Sequence, residues 1–200
     1  VLKTATGIAE RLNETDLTRQ SSSTGPAANI HGFTSCGSSI YVAAESSNSV
    51  VVLDEQTLEE TARVKEIDTP RAVICINGEA WVYVSNLKEL IQLKSDNTKR
   101  THALSLNDSR TDSEKLGYSI FHTAGDGPGN NRSCSSCHVK GLSDGVIWNA
   151  GPITNQKLTR PIRWGEGTSR IGWDGYVGSI KISGYVGGAT TNTRPTTSEA

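Results

Sequence analysis

Methionine is absent from all 200 residues. That absence excludes a thioether ligand from within the chain to any metal centre. Long apolar runs are absent too, and none approaches the roughly 18–20 residues that a membrane-crossing helix needs. Neither sign of charge dominates, with 20 basic and 21 acidic residues and a formal net charge of −1. Such a balance gives no basis for a nucleic-acid surface or an anionic membrane surface as partner. Apolar residues make up only 34% of the chain, while glycine reaches 20 of 200. This is lean for an independent core and fits turn-rich structure. No secretory leader opens the chain, which begins at Val1; the expectation is a mature, trimmed or fragmentary product.

Residues 1–25 form a polar N-terminal segment rich in Ser and Thr, with Gln20 to Pro26 reading as a loop. From about residue 26 the pattern is β. Ser39–Ala43, Val50–Leu53 and Glu59–Val64 read as strands, separated by turns at Ser46–Ser49 and Asp54–Thr57. The same order recurs in Trp81–Ser85, Leu90–Leu93 and Thr101–Leu106, and Tyr41-Val42 and Tyr83-Val84 lie 42 residues apart. Several short strands per unit, repeated at about 40–45 residues, point to β-propeller blades over 26–106. Ile40-Tyr41-Val42-Ala43 followed by Asn48 to Asp54 resembles the YVTN-type propeller repeat; the second copy is degenerate, with Lys94 in place of Asp54. A closed propeller takes about four to eight blades, and about two are legible here, so the expectation is a fragment of a longer polypeptide or a chain that completes a sheet supplied by another. A small two-sheet sandwich is the alternative.

Residues 107–117 read as a polar linker, 118–189 as a small α- and loop-rich domain and 190–200 as a tail. Lys115 to His122 has the apolar spacing of a short helix. The most informative stretch follows it: Cys134-Ser135-Ser136-Cys137-His138. The spacing C-x-x-C-H is the attachment signature of a c-type haem. Two sulfurs would form thioethers to one porphyrin edge, and the adjacent His138 would ligate the iron. The alternatives are half of a structural metal site and a redox dithiol. Zinc needs four ligands, and the remaining cysteines, Cys36 and Cys75, form no second C-x-x-C. Those two fall near the starts of successive repeats, so either a disulfide or two buried thiols is expected there.

Gly117-Tyr118-Ser119-Ile120-Phe121, then Ser133 to His138, Gly141 and Asp144-Gly145 together resemble the di-haem cytochrome c peroxidase and MauG-type superfamily. Trp148 and Trp173-Asp174-Gly175 resemble positions found in its members fused to YVTN-type propellers. The resemblance implies a cytochrome c-like domain with one covalent haem c, bound by Cys134, Cys137 and His138. It also implies periplasmic or extracellular location, and a redox partner protein or further haem subunits as partners. Family enzymes carry two haems, and this chain has one C-x-x-C-H with no histidine after His138. The leading expectation is therefore electron transfer within a larger assembly. A peroxidase-like or MauG-like oxidoreductase with its second haem elsewhere, and a non-catalytic propeller scaffold, are the alternatives.

For the sixth iron position the upstream histidines are His31, His102 and His122. His122 is nearest in sequence and is the expected second metal ligand; Tyr176, Tyr185, an open site and a partner's ligand are alternatives. Arg160, Arg163 and Arg170 are candidates for pairing with haem propionates, or ordinary surface charge. Trp148, Trp164 and Trp173 would wall the pocket or pack. Asp126 to Asn131 carries oxygen donors without calcium-loop spacing.

Overall fold

The computed structural model describes residues 2–4, 9–11, 15–17, 27–94, 96–124, 132–149 and 156–163. Two short hairpins lie toward the ends of the chain. Strands β1 (Leu2–Thr4) and β2 (Ala9–Arg11) pair inside the segment read from sequence as polar. Between the end hairpins stand two four-stranded antiparallel sheets, each running in chain order. Blade 1 comprises β3 (Ile30–Cys36), β4 (Ser39–Ala44), β5 (Ser49–Asp54) and β6 (Glu60–Val64). Blade 2 comprises β7 (Pro70–Ile76), β8 (Glu79–Val84), β9 (Glu89–Leu93) and β10 (Lys99–Ala103). These are β-blades, as the repeat predicts, but with four strands each. The unforeseen strand is the first of each blade.

Register corrects the repeat. Tyr41 pairs with Thr34 in blade 1, and Trp81 pairs with Ile74 in blade 2. The hairpins therefore superpose with a shift of 40 residues, which sets Tyr41 against Trp81 and Ala43 against Tyr83. Matching Tyr41 to Tyr83 is out of step by two residues. An even slip keeps every side chain on its face. The β7–β8 turn is Asn77-Gly78, with both residues at positive φ (52° and 80°). Such a turn matches the right-handed twist of the strands that it joins. Lys94 cannot act as Asp54 does, since Asp54 accepts from the backbone of Gln56 and Thr57. In blade 2 Asp96 takes over, accepting from the backbone and hydroxyl of Thr98.

The blades pack face to face. Tyr41, Ala43, Val50, Val52 and Val64 of blade 1 meet Val73, Val82, Val84, Ile91 and Leu93 of blade 2. Blade 1 is also covered behind, where Ala27 and Leu17 pack on Val42, Ala44, Val51 and Leu53. Its β5 is accordingly a continuous apolar run, Val50-Val51-Val52-Leu53, buried throughout. In β8 burial alternates instead, with Ala80, Val82 and Val84 buried and Trp81 and Tyr83 half-exposed. The first strands lie against each other, and Cys36 is bonded to Cys75 (S–S 2.01 Å, Cα–Cα 5.4 Å). Both cysteines stand on the facing sides of their blades.

β10 ends beside the β8–β9 turn, at the end of the blades away from the disulfide. There α1 (Asp112–His122) begins inside the stretch read as a linker. Its start is a capping box. Thr111 accepts from the Glu114 backbone N–H while the Glu114 carboxylate accepts from Thr111. A one-turn helix, α2 (Cys134–Cys137), leads into a 3₁₀ turn at Val139–Gly141. The hairpin of β11 (Ile147–Asn149) and β12 (Gln156–Leu158) follows, in a stretch read from sequence as loop. No described helix is long and apolar enough to cross a membrane.

The Cys36–Cys75 bond closes a loop with a sequence separation of 39. Its removal in a Cys36→Ala, Cys75→Ala variant is expected to cost about 3–4 kcal/mol. Urea denaturation read by circular dichroism checks this; an unchanged midpoint would mean that the blades do not need the bond.

Candidate functional site

The site is assembled on the turns that end the blades. Blade 1 supplies the 3₁₀ turn Glu45–Ser47, and blade 2 supplies Ser85 and Asn86 at the matching place. From sequence the Ser46–Ser49 stretch reads as a turn. In the fold Glu45, Ser46 and Ser49 are fully buried, and the later segment seats on Ser46. Ser46 Oγ lies 2.8 Å from Ser133 Oγ, and the Ser46 carbonyl accepts from the Ala124 N–H at 2.7 Å. Asn48 Nδ2 donates to Thr123 Oγ1, and Asn29 Nδ2 lies 3.4 Å from Ser135 Oγ. On blade 2, Asn86 Nδ2 donates to the Lys115 carbonyl, and Ser85 Oγ bonds Tyr118 Oη. α1 buries no residue fully, so it is held through this polar seam.

The seam places α2. Ser133 precedes the helix, its N–H donating to Ser136 Oγ at 3.0 Å. Cys134 and Cys137 are one turn apart on one helix face, half-buried, and bonded to no other cysteine. Burial pushes both thiols above the ordinary cysteine pKa, and the Asp144 charge adds to the effect at Cys137. The His138 N–H donates to the Cys134 carbonyl at 2.9 Å, which ties the histidine to the helix end. Its ring Nδ1 is buried and has no hydrogen-bond partner among the described residues. An orphaned buried nitrogen is costly, about 1–3 kcal/mol, so this imidazole is held where the protein alone does not satisfy it. Among the described residues no group of three His, Cys, Asp or Glu side chains converges to hold a metal ion. Two free thiols on one turn, with an adjacent under-satisfied imidazole, match the donor set of a covalently attached haem. They fall short of a four-ligand zinc site.

The other expected residues are distributed unevenly. His122 ends α1 and stacks on Tyr118 at 3.9 Å between ring centroids. Its Nδ1 lies 2.9 Å from the Tyr118 carbonyl. A carbonyl only accepts, so Nδ1 carries the proton and the Nε2 lone pair is left for another partner. Burial lowers the His122 pKa, only partly offset by that bond, which favours the neutral ring. His31 is engaged otherwise, its Nε2 2.8 Å from Glu45 Oε2. His102 lies on β10, its Nε2 3.1 Å from Gln92 Oε1 and its ring against Trp81. Arg163 is exposed, and its Nε donates to the Lys140 carbonyl at 2.8 Å, so it clamps the turn after His138. Arg160 is exposed near β12. Arg170, Trp164, Trp173, Tyr176, Tyr185 and Asp126 to Asn131 lie outside the described residues, and so does the Trp148 side chain.

Sequence reasoning missed Glu45. Its carboxylate is buried, accepts from Asn29 Nδ2 at 2.9 Å and from His31, and has Arg71 Nη1 at 3.5 Å. Arg71 Nη1 also reaches Tyr118 Oη at 3.1 Å. This charged knot joins both blades to α1 beside His122.

No family model matches the chain, and no curated protein matches it. Solved structures similar to it include two lyases. A streptogramin B lyase shares 17% identity (TM-score 0.38), over 42% of this chain and 29% of its own. Virginiamycin B lyase from Staphylococcus aureus shares 15% identity (TM-score 0.39), over 50% of this chain and 33% of its own. The chain thus spans about a third of the length of the structures that it matches.

Two outcomes are expected. In protein made without haem, raised thiol pKa values keep Cys134 and Cys137 protonated at neutral pH. Alkylation by iodoacetamide at pH 7.5 is expected to be several-fold slower in the folded chain than in urea, and the gap should close as pH rises. Equal rates at pH 7.5 would contradict the burial of these sulfurs. Separately, Glu45→Ala leaves Asn29, His31 and Arg71 without their shared acceptor, and should cost about 2–4 kcal/mol in a denaturation experiment.

Proposed function

We propose that the chain is a c-type haem protein that passes electrons within a larger extracytoplasmic redox assembly. The observation that carries this reading is the C-x-x-C-H turn itself: two unpaired thiols one helical turn apart and an adjacent histidine with a buried, unsatisfied ring nitrogen. Cys134 and Cys137 would hold the haem through thioethers, and His138 would be its proximal ligand. Bound there, the group supplies an iron that gains and loses one electron. Everything else is the work of the chain. α2 presents both sulfurs from one face. The Ser46–Ser133 bond fixes that helix to blade 1. Arg163 holds the turn that follows His138.

His122 is the proposed second ligand. Its Nδ1–H is already given to the Tyr118 carbonyl, the kind of outer contact that fixes the tautomer and aim of a ligating histidine. Neutralised by burial, the ring keeps a lone pair on Nε2. Two histidine ligands suit electron transfer rather than peroxide chemistry, since they leave no open iron position. The partner would be a redox protein or further haem subunits. The disulfide agrees with maturation in an oxidising compartment.

Co-expression with a haem c maturation system, followed by a pyridine haemochrome assay, tests the attachment. A covalent haem c signal is expected, and Cys134→Ala with Cys137→Ala should abolish it; covalent haem in the double variant would refute the assignment. His122→Ala should convert a low-spin spectrum to high-spin. A high-spin wild-type protein that turns over peroxide would instead mark the peroxidase-like alternative.

A further inference from the structure

The charged knot lies between the two supports of the candidate haem site. On one side Asn29 Nδ2 donates to Glu45 Oε2 at 2.9 Å and lies 3.4 Å from the hydroxyl of Ser135, the residue directly after Cys134. On the other side Arg71 Nη1 lies 3.5 Å from Glu45 Oε1 and donates to Tyr118 Oη at 3.1 Å, and the Tyr118 ring stacks on His122. The Glu45 side chain is 1% exposed, so solvent screens its charge poorly. His31 is the variable member. Its Nε2 lies 2.8 Å from Glu45 Oε2. A carboxylate only accepts, so Nε2 carries a proton and Nδ1 is left to gain or lose a second. The His31 side chain is 29% exposed, which gives the ring access to water. Arg71 keeps its charge at every working pH and offsets that of Glu45. Protonation of His31 therefore takes the knot from neutral to singly positive.

The charged and titratable groups gathered around the His31–Glu45 pair come from two further elements: Arg71 from β7, and Tyr118 and His122 from α1. Glu45 is the one anion among them. Of the other strands against β3, β4 carries Tyr41, buried between the blades. β8 carries Glu79, which accepts from Gln92, and Tyr83, on the side away from blade 1. Of the four histidines, His122 and His138 are the proposed ligands, and His102 is engaged with Gln92. His31 is left as the one joined by hydrogen bonds to the supports of the site. We infer, resting on the haem reading above, that His31, gripped by Glu45, takes up a proton when the site takes up an electron. One electron passes from the redox partner, which is oxidised, to ferric iron at His138, which is reduced to ferrous. One proton passes from solvent to His31 Nδ1, so the total charge of site and knot is unchanged. Oxidation reverses both movements. The solution pH thereby regulates the potential of the site.

The test is redox titration of the full chain carrying covalent haem, followed optically from about pH 5 to about pH 9. The reduced form binds more protons, so the potential should fall as pH rises. Coupling is reciprocal, and electron uptake is expected to tighten proton binding about tenfold. That gives a steepest slope of about half a proton per electron and a total fall of about 59 mV. An indicator dye in unbuffered solution should report the same proton uptake on reduction. His31→Gln keeps a donor for Glu45 and has no titrating nitrogen; it should remove most of the slope and of the dye signal while the visible spectrum stays the same. Glu45→Gln removes a buried negative charge and should raise the potential at high pH. Arg71→Gln, at a half-exposed position, should lower it. A potential independent of pH would overturn the inference. So would an unchanged slope in His31→Gln, which places the proton on another group such as a haem propionate. Both results leave the covalent haem standing, whereas its absence in the pyridine haemochrome assay strikes the haem reading and this one together.

Discussion

A single β-blade has two faces and can bury neither by itself. That constraint governs this chain. Burial worth about 25 cal/mol per Å² is realised only where one sheet meets another surface. With 34% apolar residues, the protein has little to spend elsewhere. The blade-to-blade seam is therefore the foundation. It sets the two first strands side by side, brings Cys36 to Cys75, and lines up the turns at the opposite end on which the C-x-x-C-H segment rests. The seam is apolar and the platform is polar. Val50 and Val82 need only exclude water, whereas Glu45, Ser46 and Ser133 must each find a hydrogen-bond partner. The first kind of contact tolerates drift, and the second fixes position.

What could be read in the sequence follows from how local each signal is. Val50-Val51-Val52-Leu53 is a run of strand formers and was legible as a strand. The first strands were not. Ile30–Cys36 contains His31 and Gly32, and most of its residues are exposed, so it lacks both the run and the clean alternation. The alternation in β8 was visible, but its meaning, one face covered and one not, needed the register. The capping box at Thr111 and Glu114 was readable, yet it sat in a charged stretch that looked like a linker.

The candidate site divides the same way. Cys134, Cys137 and His138 announce themselves, because covalent attachment demands fixed spacing. Nothing in the sequence announces Glu45. A polar turn is buried only if something sits on it, and what sits on it arrives almost ninety residues later, at Ser133. Spacing alone likewise left the state of Cys36 and Cys75 open, since pairing depends on two strands that had not been recognised.

Four cysteines can be joined into two pairs in three ways. Chain proximity alone favours Cys134 with Cys137, the closest pair in sequence. The blades exclude the two mixed pairings. Folding them holds Cys36 and Cys75 together at one end of the molecule and carries Cys134 and Cys137 to the other, as slow-reacting protonated sulfurs. The architecture thus sorts its own thiols: Cys36 and Cys75 are cross-linked, and Cys134 and Cys137 stand together out of their reach.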